Sequence, residues 1–489
     1  MRVLERLREH AKARPEHPAL VSDAGDASEV VTYAQLVGDF DALGAELRAR
    51  GVAPGDRCGL RAQQGRPFVE AALGILAADA CLVPIPEDTT GEALTTATSE
   101  SCLHHLLEAL PERRFESFSS VASVDGQDDA TFRSLSPAYM RFTSGTTHQR
   151  KGVIVGAAAV AARLERGNAS LEIGPADRIL WLLPMAHHFL VSVLLYLRFG
   201  ATILLPKSSF ASPVLDLACR ERATVFYASP YHYGLLAKDG SERGLEGVRL
   251  AVSTADGLRE DTALRFRERF GIPLVQALGI IEVGLPVMNL RSAASKPTAL
   301  GRPAPGYRVW LRDGAGAELA ESGPERTGEI CISGEGLFDA YLRPFTLAKD
   351  ALEHGSFRTG DQGWFDADGD LHLCGRRSNR INMAGMKFFC EEVEAALDTH
   401  PAIAASRVFA KQHPHLGELP AAEIVLEAGA QAPDRKALAA HLRRRLPAYK
   451  IPREFNVVDS LPRTATGKLR RFSDLDASGA PALRSDQDE

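Results

Sequence analysis

Short apolar runs such as "DRCGLRAQ", "CLVPIP", "KGVIVG", "RILWLLP", "ATILLP", "ATVFYASP" and "RLAVSTA" alternate with longer segments such as "GRPFVEAALGILAADA" and "REDTALRFRERFG". The short runs have the length and composition of buried strands, whereas the longer ones carry apolar positions at helical spacing. Their alternation predicts α/β layers. The start, "MRVLERLREHAKARPEHPAL", mixes charges with Leu and Ala and reads as an amphipathic helix. It lacks the apolar centre and small-residue cleavage site of a secretory signal. The most apolar stretch, "RILWLLPMAHHFLVSVLLYLRFGATILLP", is broken by a proline, two histidines and an arginine. It predicts core helix plus strand rather than a membrane span.

From about residue 299 the pattern changes to short strands broken by Gly and Asp turns: "GRPAPGYRVWLRDGAGAELA", "TGEICISGEG" and "FRTGDQGWFDADGDLHLCG", with "DADGD" as a hairpin turn. This predicts a β-rich subdomain. After "GRRSNRINMAG" come a helix with acidic residues in its first turn ("EEVEAALDTH"), two strand-like runs ("RVFAKQ", "AAEIVLE") and a basic helix ("DRKALAAHLRRRL"), a compact α+β unit. "GRRSNR" is polar and turn-prone, as a linker is. The expected organisation is an N-terminal domain over residues 1–377, a small C-terminal domain over 378–475 and a disordered charged tail over 476–489. No internal repeat is evident.

A chain of 489 residues exceeds what one core serves, about 250–300 residues, so two or three domains are expected. Its hydrophobic fraction of 45% and charged fraction of 25% allow a large core and exclude disorder for most of the length. A net charge of -6 with both signs interspersed gives no footprint for wrapping nucleic acid or docking on a membrane, which leaves a small-molecule role. The seven cysteines are odd in number and scattered without a CxxC pair, and read as thiols of a reducing cytoplasm.

In "RFTSGTTHQRKGVIVG" Gly145 sits among the hydroxyls of Thr143, Ser144, Thr146 and Thr147, with Arg150 and Lys151 following. Hydroxyls and exposed amides on a tight turn suit phosphate oxygens, and a nearby lysine can follow phosphate charge into a transition state. The spacing is not that of GxxxxGK[ST], and a Ser/Thr-rich surface turn is an equal reading of the pentapeptide alone. Asp361 in "RTGDQGWF" stands where a carboxylate can accept both hydroxyls of a ribose, or it belongs to an ordinary Gly-Asp turn. Glu282 in "QALGIIEVG" lies just past an apolar segment, as a Mg²⁺ ligand or as a solvated or helix-capping carboxylate. Lys468 in "LPRTATGKLRR" is a cation on a Thr-Gly turn, or a solvated surface lysine.

Taken in order with "VTYAQL", "GVAPGDRCGL", "LGILAADACLVPI", "LPMAHHF", "GEICISG", "GRRSNRIN" and the segment from Gly385 to Glu394, these motifs resemble the adenylate-forming superfamily of acyl-CoA synthetases, aryl-acid ligases, peptide-synthetase adenylation domains and firefly luciferase. The resemblance spans nearly the whole chain. It implies a large N-terminal domain and a small mobile C-terminal one, with ATP and Mg²⁺ as cofactors. By the same resemblance Thr143, Ser144, Gly145, Thr146, Thr147 and Lys151 cradle the β- and γ-phosphates. Asp361 and Arg376 hold the ribose, Ser253, Ala255 and Gly279 border the nucleotide, and Glu282 with Thr147 binds Mg²⁺. Lys468 neutralises charge as a carboxylate oxygen attacks the α-phosphorus and pyrophosphate leaves. Rotation about Asn379 then admits the thiol of coenzyme A or of a carrier protein, which accepts the acyl group. Only about twenty residues follow Lys468, so a carrier is expected to act in trans.

The chain departs from the family pattern at several positions. His148 and Arg150 replace a glycine and a proline of the phosphate loop. Leu278 replaces the ring expected on adenine, Ile281 replaces a threonine, and Asn379, Asn382 and Cys390 replace an Asp or Lys, a Lys and a Pro. These departures leave open a repurposed enzyme with another substrate or acceptor, or a nucleotide-binding homologue without turnover. On the acid side Leu190 follows Phe189 where amino-acid-activating members carry Asp. Burying an ammonium against leucine is costly, so an aryl or aliphatic acid is expected. "PMAHHF" is similar to the "PMAHN" of aryl-acid ligases, with His188 in place of Asn. His187 and His188 are acid-pocket candidates or core histidines. Tyr227, Tyr231, His232 and Tyr233 of "FYASPYHYG" either wall the acid pocket or simply pack.

Overall fold

Side chains along the central strands alternate between two cores. In Arg178–Trp181, Ile179 and Trp181 enter the main core and Leu180 a second one; in Val225–Ala228, Val225 and Tyr227 face the first and Phe226 and Ala228 the second. A period of two with both faces apolar is the pattern of a sheet covered on each side. The computed structural model describes residues 2–25, 27–110, 113–119, 126–142, 151–383, 386–413, 416–463 and 469. Among these the strands form four sheets.

The largest, of nine strands, runs in the order Arg302–Pro303, Gly284–Met288, Leu274–Ile280, Leu250–Ser253, Val225–Ala228, Arg178–Trp181, Thr202–Leu205, Pro18–Asp23 and Ser28–Thr32. Its middle strands are parallel, so their C-terminal ends share one edge. An eight-stranded sheet is built around Arg57–Ala62, Cys81–Ile85, Pro137–Phe142 and Gly152–Gly156, with Ala340–Tyr341 beside the last. Helices Tyr33–Ala49, Arg66–Ala77 and Ala157–Leu171 lie between the two sheets. Their buried faces join Leu60, Leu82 and Val153 of one to Ile179, Val225 and Val252 of the other in a single core. "VTYAQL" starts the first of these helices: the Thr32 hydroxyl accepts from Gln35 N at 3.3 Å while the Gln35 side chain accepts from Thr32 N at 2.9 Å. The helix Glu260–Phe270 begins with two acids and stops at Gly271, whose φ is +74°.

The change of texture near residue 299 corresponds to a four-stranded antiparallel sheet of Tyr307–Arg312, Gly328–Gly334, Phe357–Phe365 and Leu371–Arg376, with its own core of Leu311, Ile330, Ile332 and Leu371. "DADGD" makes the turn between its last two strands. One 3-10 turn, Arg377–Asn379, leads into the small C-terminal unit. There helices Cys390–Leu397 and Arg435–Arg443 pack on a sheet of Arg380–Met383, Met386–Phe389, Ile403–His413, Gly417–Leu426 and Glu454–Val457 around Ile381, Phe388, Val393, Val408 and Leu438. The apolar stretch expected to give core helix plus strand gives strand Arg178–Trp181, helix Met185–His188, π-helix Phe189–Val193, helix Leu194–Arg198 and strand Thr202–Leu205. Among the described residues no helix is long and apolar enough to cross a membrane.

Candidate active site

The edge where the parallel strands end carries Ser253, Ala255 and Gly279, with Glu282 just beyond it. Strands Leu274–Ile280 and Gly284–Met288 form an antiparallel hairpin whose turn holds Glu282. Gly284, at φ +114°, permits the turn, and a Cβ there would lie 3.3 Å from Tyr307 Oη. Glu282 is only 8% exposed, which excludes the solvated reading. Its backbone is fixed from the helix Ala157–Leu171: Arg163, fully buried, donates to the carbonyls of Ile281 at 2.7 Å, Glu282 at 2.8 Å and Gly336. Burial pushes the Glu282 carboxyl above the usual carboxylate range, opposed by Arg141, Arg163 and a 3.4 Å hydrogen bond from Tyr341 Oη. The other side of Tyr341 meets Lys151, whose Nζ lies 4.8 Å from the ring centroid. One tyrosine therefore carries the predicted phosphate lysine on its face and the predicted metal carboxylate at its hydroxyl. Beside its own backbone N–H, the Glu282 carboxylate has one long hydrogen bond from a neutral hydroxyl, and a buried carboxylate so placed fits a hard divalent cation. Thr143, Ser144, Gly145, Thr146 and Thr147 lie outside the described residues, as do His148, Arg150 and Lys468.

On the nucleotide side Asp361 and Arg376 are register partners across two antiparallel strands, and Arg376 Nε donates to Asp361 Oδ1 at 3.1 Å. The two ribose candidates thus arrive together. Ser253 ends its strand fully buried, and Ala255 has φ +75°, a left-handed conformation uncommon for a residue with a Cβ. Thr254 between them donates to Ala277 O at 3.0 Å and lies 3.7 Å from where a Gly279 Cβ would be, so the "VSTADG" and "LGI" segments adjoin. Leu278 packs toward the β-rich subdomain's core. Asn379 donates to Glu391 Oε1 at 2.6 Å, which ties the proposed hinge to the first helix of the small unit.

On the acid side the four predicted residues of "HHFL" divide. Phe189 and Leu190 enter the main core, Phe189 with its ring 5.7 Å from that of Phe68. His187 and His188 turn the other way, their Nε2 atoms buried without a hydrogen-bond partner among the described residues. Arg141, from the strand Pro137–Phe142, donates to the His187 carbonyl, and the His188 ring lies 6.3 Å from Trp181. Burial first and the Arg141 charge second hold both imidazoles neutral, with His187 pushed down to about 4 and His188 to about 3. Trp181 stacks on its register partner Tyr227 at 5.2 Å, and Tyr196 closes the group 6.0 Å from Tyr227. Tyr231 does not join them: it is 64% exposed and its ring pairs with His232. It occupies the first turn of helix Pro230–Lys238, where its neighbour His232 is taken up by the Ser229 cap. The sequence reading also missed Arg141, Arg163, Trp181, Tyr196 and Tyr341. Only Arg163 left a signal, an arginine inside the apolar stripe of Val160, Leu164, Gly167 and Leu171.

Residues 7–342 match the AMP-binding enzyme family, and residues 392–468 match the AMP-binding enzyme C-terminal domain. The chain belongs to this family, and is an adenylate-forming ligase with a large N-terminal and a small C-terminal domain. A sulfoacetate–CoA ligase of Cupriavidus necator is 28% identical to it over 490 aligned positions, covering 94% of each chain. A 2-succinylbenzoate–CoA ligase of Bacillus subtilis is 27% identical, covering 96% of this chain and 97% of the other. ATP-bound MatB from Rhodopseudomonas palustris shares the fold with a TM-score of 0.82 at 23% identity, over 95% of this chain and 97% of that one.

Proposed function

We propose that the enzyme joins ATP and a carboxylic acid into acyl-AMP and pyrophosphate, then passes the acyl group to the thiol of coenzyme A or of a carrier-protein phosphopantetheine. The observation that carries this reading is the joint placement of Glu282 and Lys151 on Tyr341. In the first half-reaction a carboxylate oxygen attacks the α-phosphorus and the bond to pyrophosphate breaks. Thr143, Ser144, Gly145, Thr146, Thr147 and Lys151 hold the departing phosphates, Asp361 and Arg376 hold the ribose, and Lys468 offsets the charge that develops between two anions. Magnesium, held by Glu282 and Thr147, supplies charge neutralisation on the phosphates. In the second half-reaction a thiolate sulfur attacks the acyl carbonyl carbon and AMP leaves, after the small domain turns about Asn379. Relatives named as CoA ligases favour coenzyme A as the acceptor.

Leu190 is 4% exposed and offers no partner to an α-ammonium, so the acid is an aryl or aliphatic one rather than an α-amino acid. The test is acid-dependent exchange of labelled pyrophosphate into ATP, run over aryl, aliphatic and amino acids. Best exchange with the amino acids would overturn the acid class. In Lys468→Ala, exchange should fall by several orders of magnitude while transfer from supplied acyl-adenylate stays nearly intact. Equal losses in the two half-reactions would sink the two-position account.

A further inference from the structure

Five side-chain atoms near the acid side are shielded from solvent and have no hydrogen-bond partner among the described residues: Trp181 Nε1, Tyr196 Oη, His187 Nε2, His188 Nε2 and Arg141 Nε. They belong to one region. The Trp181 ring lies 6.3 Å from His188, 6.3 Å from Tyr196 and 5.2 Å from Tyr227. Arg141 holds the His187 carbonyl. Trp181 and Tyr196 are each at least 97% buried, at 3% and 0% exposure. Buried polar atoms of folded proteins are nearly always paired, and orphans gathered from several elements into one place point to a ligand that supplies the missing partners.

The chemistry of the orphans selects that ligand. An indole N–H and an arginine Nε–H can only donate, and a tyrosine hydroxyl has a donor to give, while Nε2 of a neutral imidazole donates or accepts according to its tautomer. The missing group must therefore accept. Arg141, which holds the His187 carbonyl, also bears electrostatically on Glu282, while Trp181 and Tyr196 belong to the buried main core. Resting on the acid-activation reading above, we propose that the acid carries a second oxygen group, at the end away from its reacting carboxylate, that accepts hydrogen bonds from Trp181 Nε1 and Tyr196 Oη, with His188 Nε2 beside them. A second carboxylate, a sulfonate and a ring hydroxyl share this chemistry. A plain alkyl or phenyl end leaves the same donors desolvated and unpaired.

The experiment compares matched acids in pyrophosphate exchange: adipate against hexanoate, 3-sulfopropionate against propionate, and 3-hydroxybenzoate against benzoate. The oxygenated member of at least one pair should have a kcat/KM at least about tenfold higher, a difference of roughly 1.4 kcal/mol. The pair that responds identifies which oxygen group the site takes. In Trp181→Phe and Tyr196→Phe the ratio within that pair should fall several-fold; should a variant not fold, the wild-type ratios alone decide. Plain acids equal or better in every pair would overturn the proposal while leaving acid activation standing. So would a ratio unmoved in both folded variants, which would mean that ordered water satisfies the donors. Absence of exchange with every acid would overturn the acid-activation reading, and this proposal with it.

Discussion

Glu282 is a carboxylate placed against its own charge. Burial raises its pKa, and because the folded-state value lies above the unfolded one, the group favours the fold at low pH and ceases to do so as pH rises through that folded-state value. Glu282→Gln removes both the buried charge and the metal ligand. Acid-dependent exchange should drop by about two orders of magnitude or more, roughly 3 kcal/mol of barrier, while the urea midpoint at neutral pH stays level or rises and loses part of its pH dependence. A large fall in the urea midpoint would mean that the carboxylate is structural. How much of this was legible depends on range. The position of Glu282 beyond an apolar run was visible in "QALGIIEVG", because a strand and its turn are local. Its burial was not, because it depends on Arg163 and Tyr341, more than fifty positions away on either side, and no periodicity records such a meeting.

At the scale of elements, the segment between strands Arg178–Trp181 and Thr202–Leu205 shows where pattern reading stops. Its apolar run predicts burial correctly, yet a run apolar on all sides does not say where the helical register changes. The π-helix Phe189–Val193 supplies that change, and the Ser192 hydroxyl donates to the His188 carbonyl within it. Phe189 and Leu190 are thereby set in the core with the preceding histidines toward Arg141. Tyr231 shows the same limit from the other side: an aromatic-rich stretch left open between pocket wall and packing is divided by the start of a helix, which buries Tyr233 and leaves Tyr231 outside. The histidine pair gives the element its own pH response. The ordinary histidine value of 6.5 is lowered to about 4 for His187 and about 3 for His188, so the neutral forms favour the fold. Their contribution is complete above pH 6.5 and is lost as pH falls through those lower values. The thermal midpoint should decline from pH 6.5 toward pH 4, and the double variant His187→Gln, His188→Gln should decline less steeply. Parallel curves for the two proteins would exclude the pair as the source.

The whole molecule is two bodies joined by the turn Arg377–Asn379 and by contacts that the sequence did not suggest, among them Lys238 with Glu427 at 3.2 Å and Arg259 with the small domain's backbone. Arg259, at the start of the helix Glu260–Phe270, reaches into the small domain and donates to Ala404 O at 2.8 Å and Asp398 O at 2.7 Å, with the Asp398 carboxylate further away at 3.5 Å. Two domains were legible because each has its own period and core, but a side chain that bridges them leaves no trace in either. Arg259→Ala should loosen the pair and speed trypsin cleavage beside Arg377 and Arg380 several-fold; an unchanged digestion rate would show that the domains are held elsewhere. The shorter bonds of this contact end on peptide carbonyls, which every amino acid possesses. The large domain therefore recognises the path of its neighbour's main chain more than the identity of its side chains, and the attachment is portable. A small domain grafted from a relative beyond Asn379 should still be gripped, even at low identity, and should be released by the same Arg259→Ala change. A lineage could then exchange one body for another without having to invent the joint again.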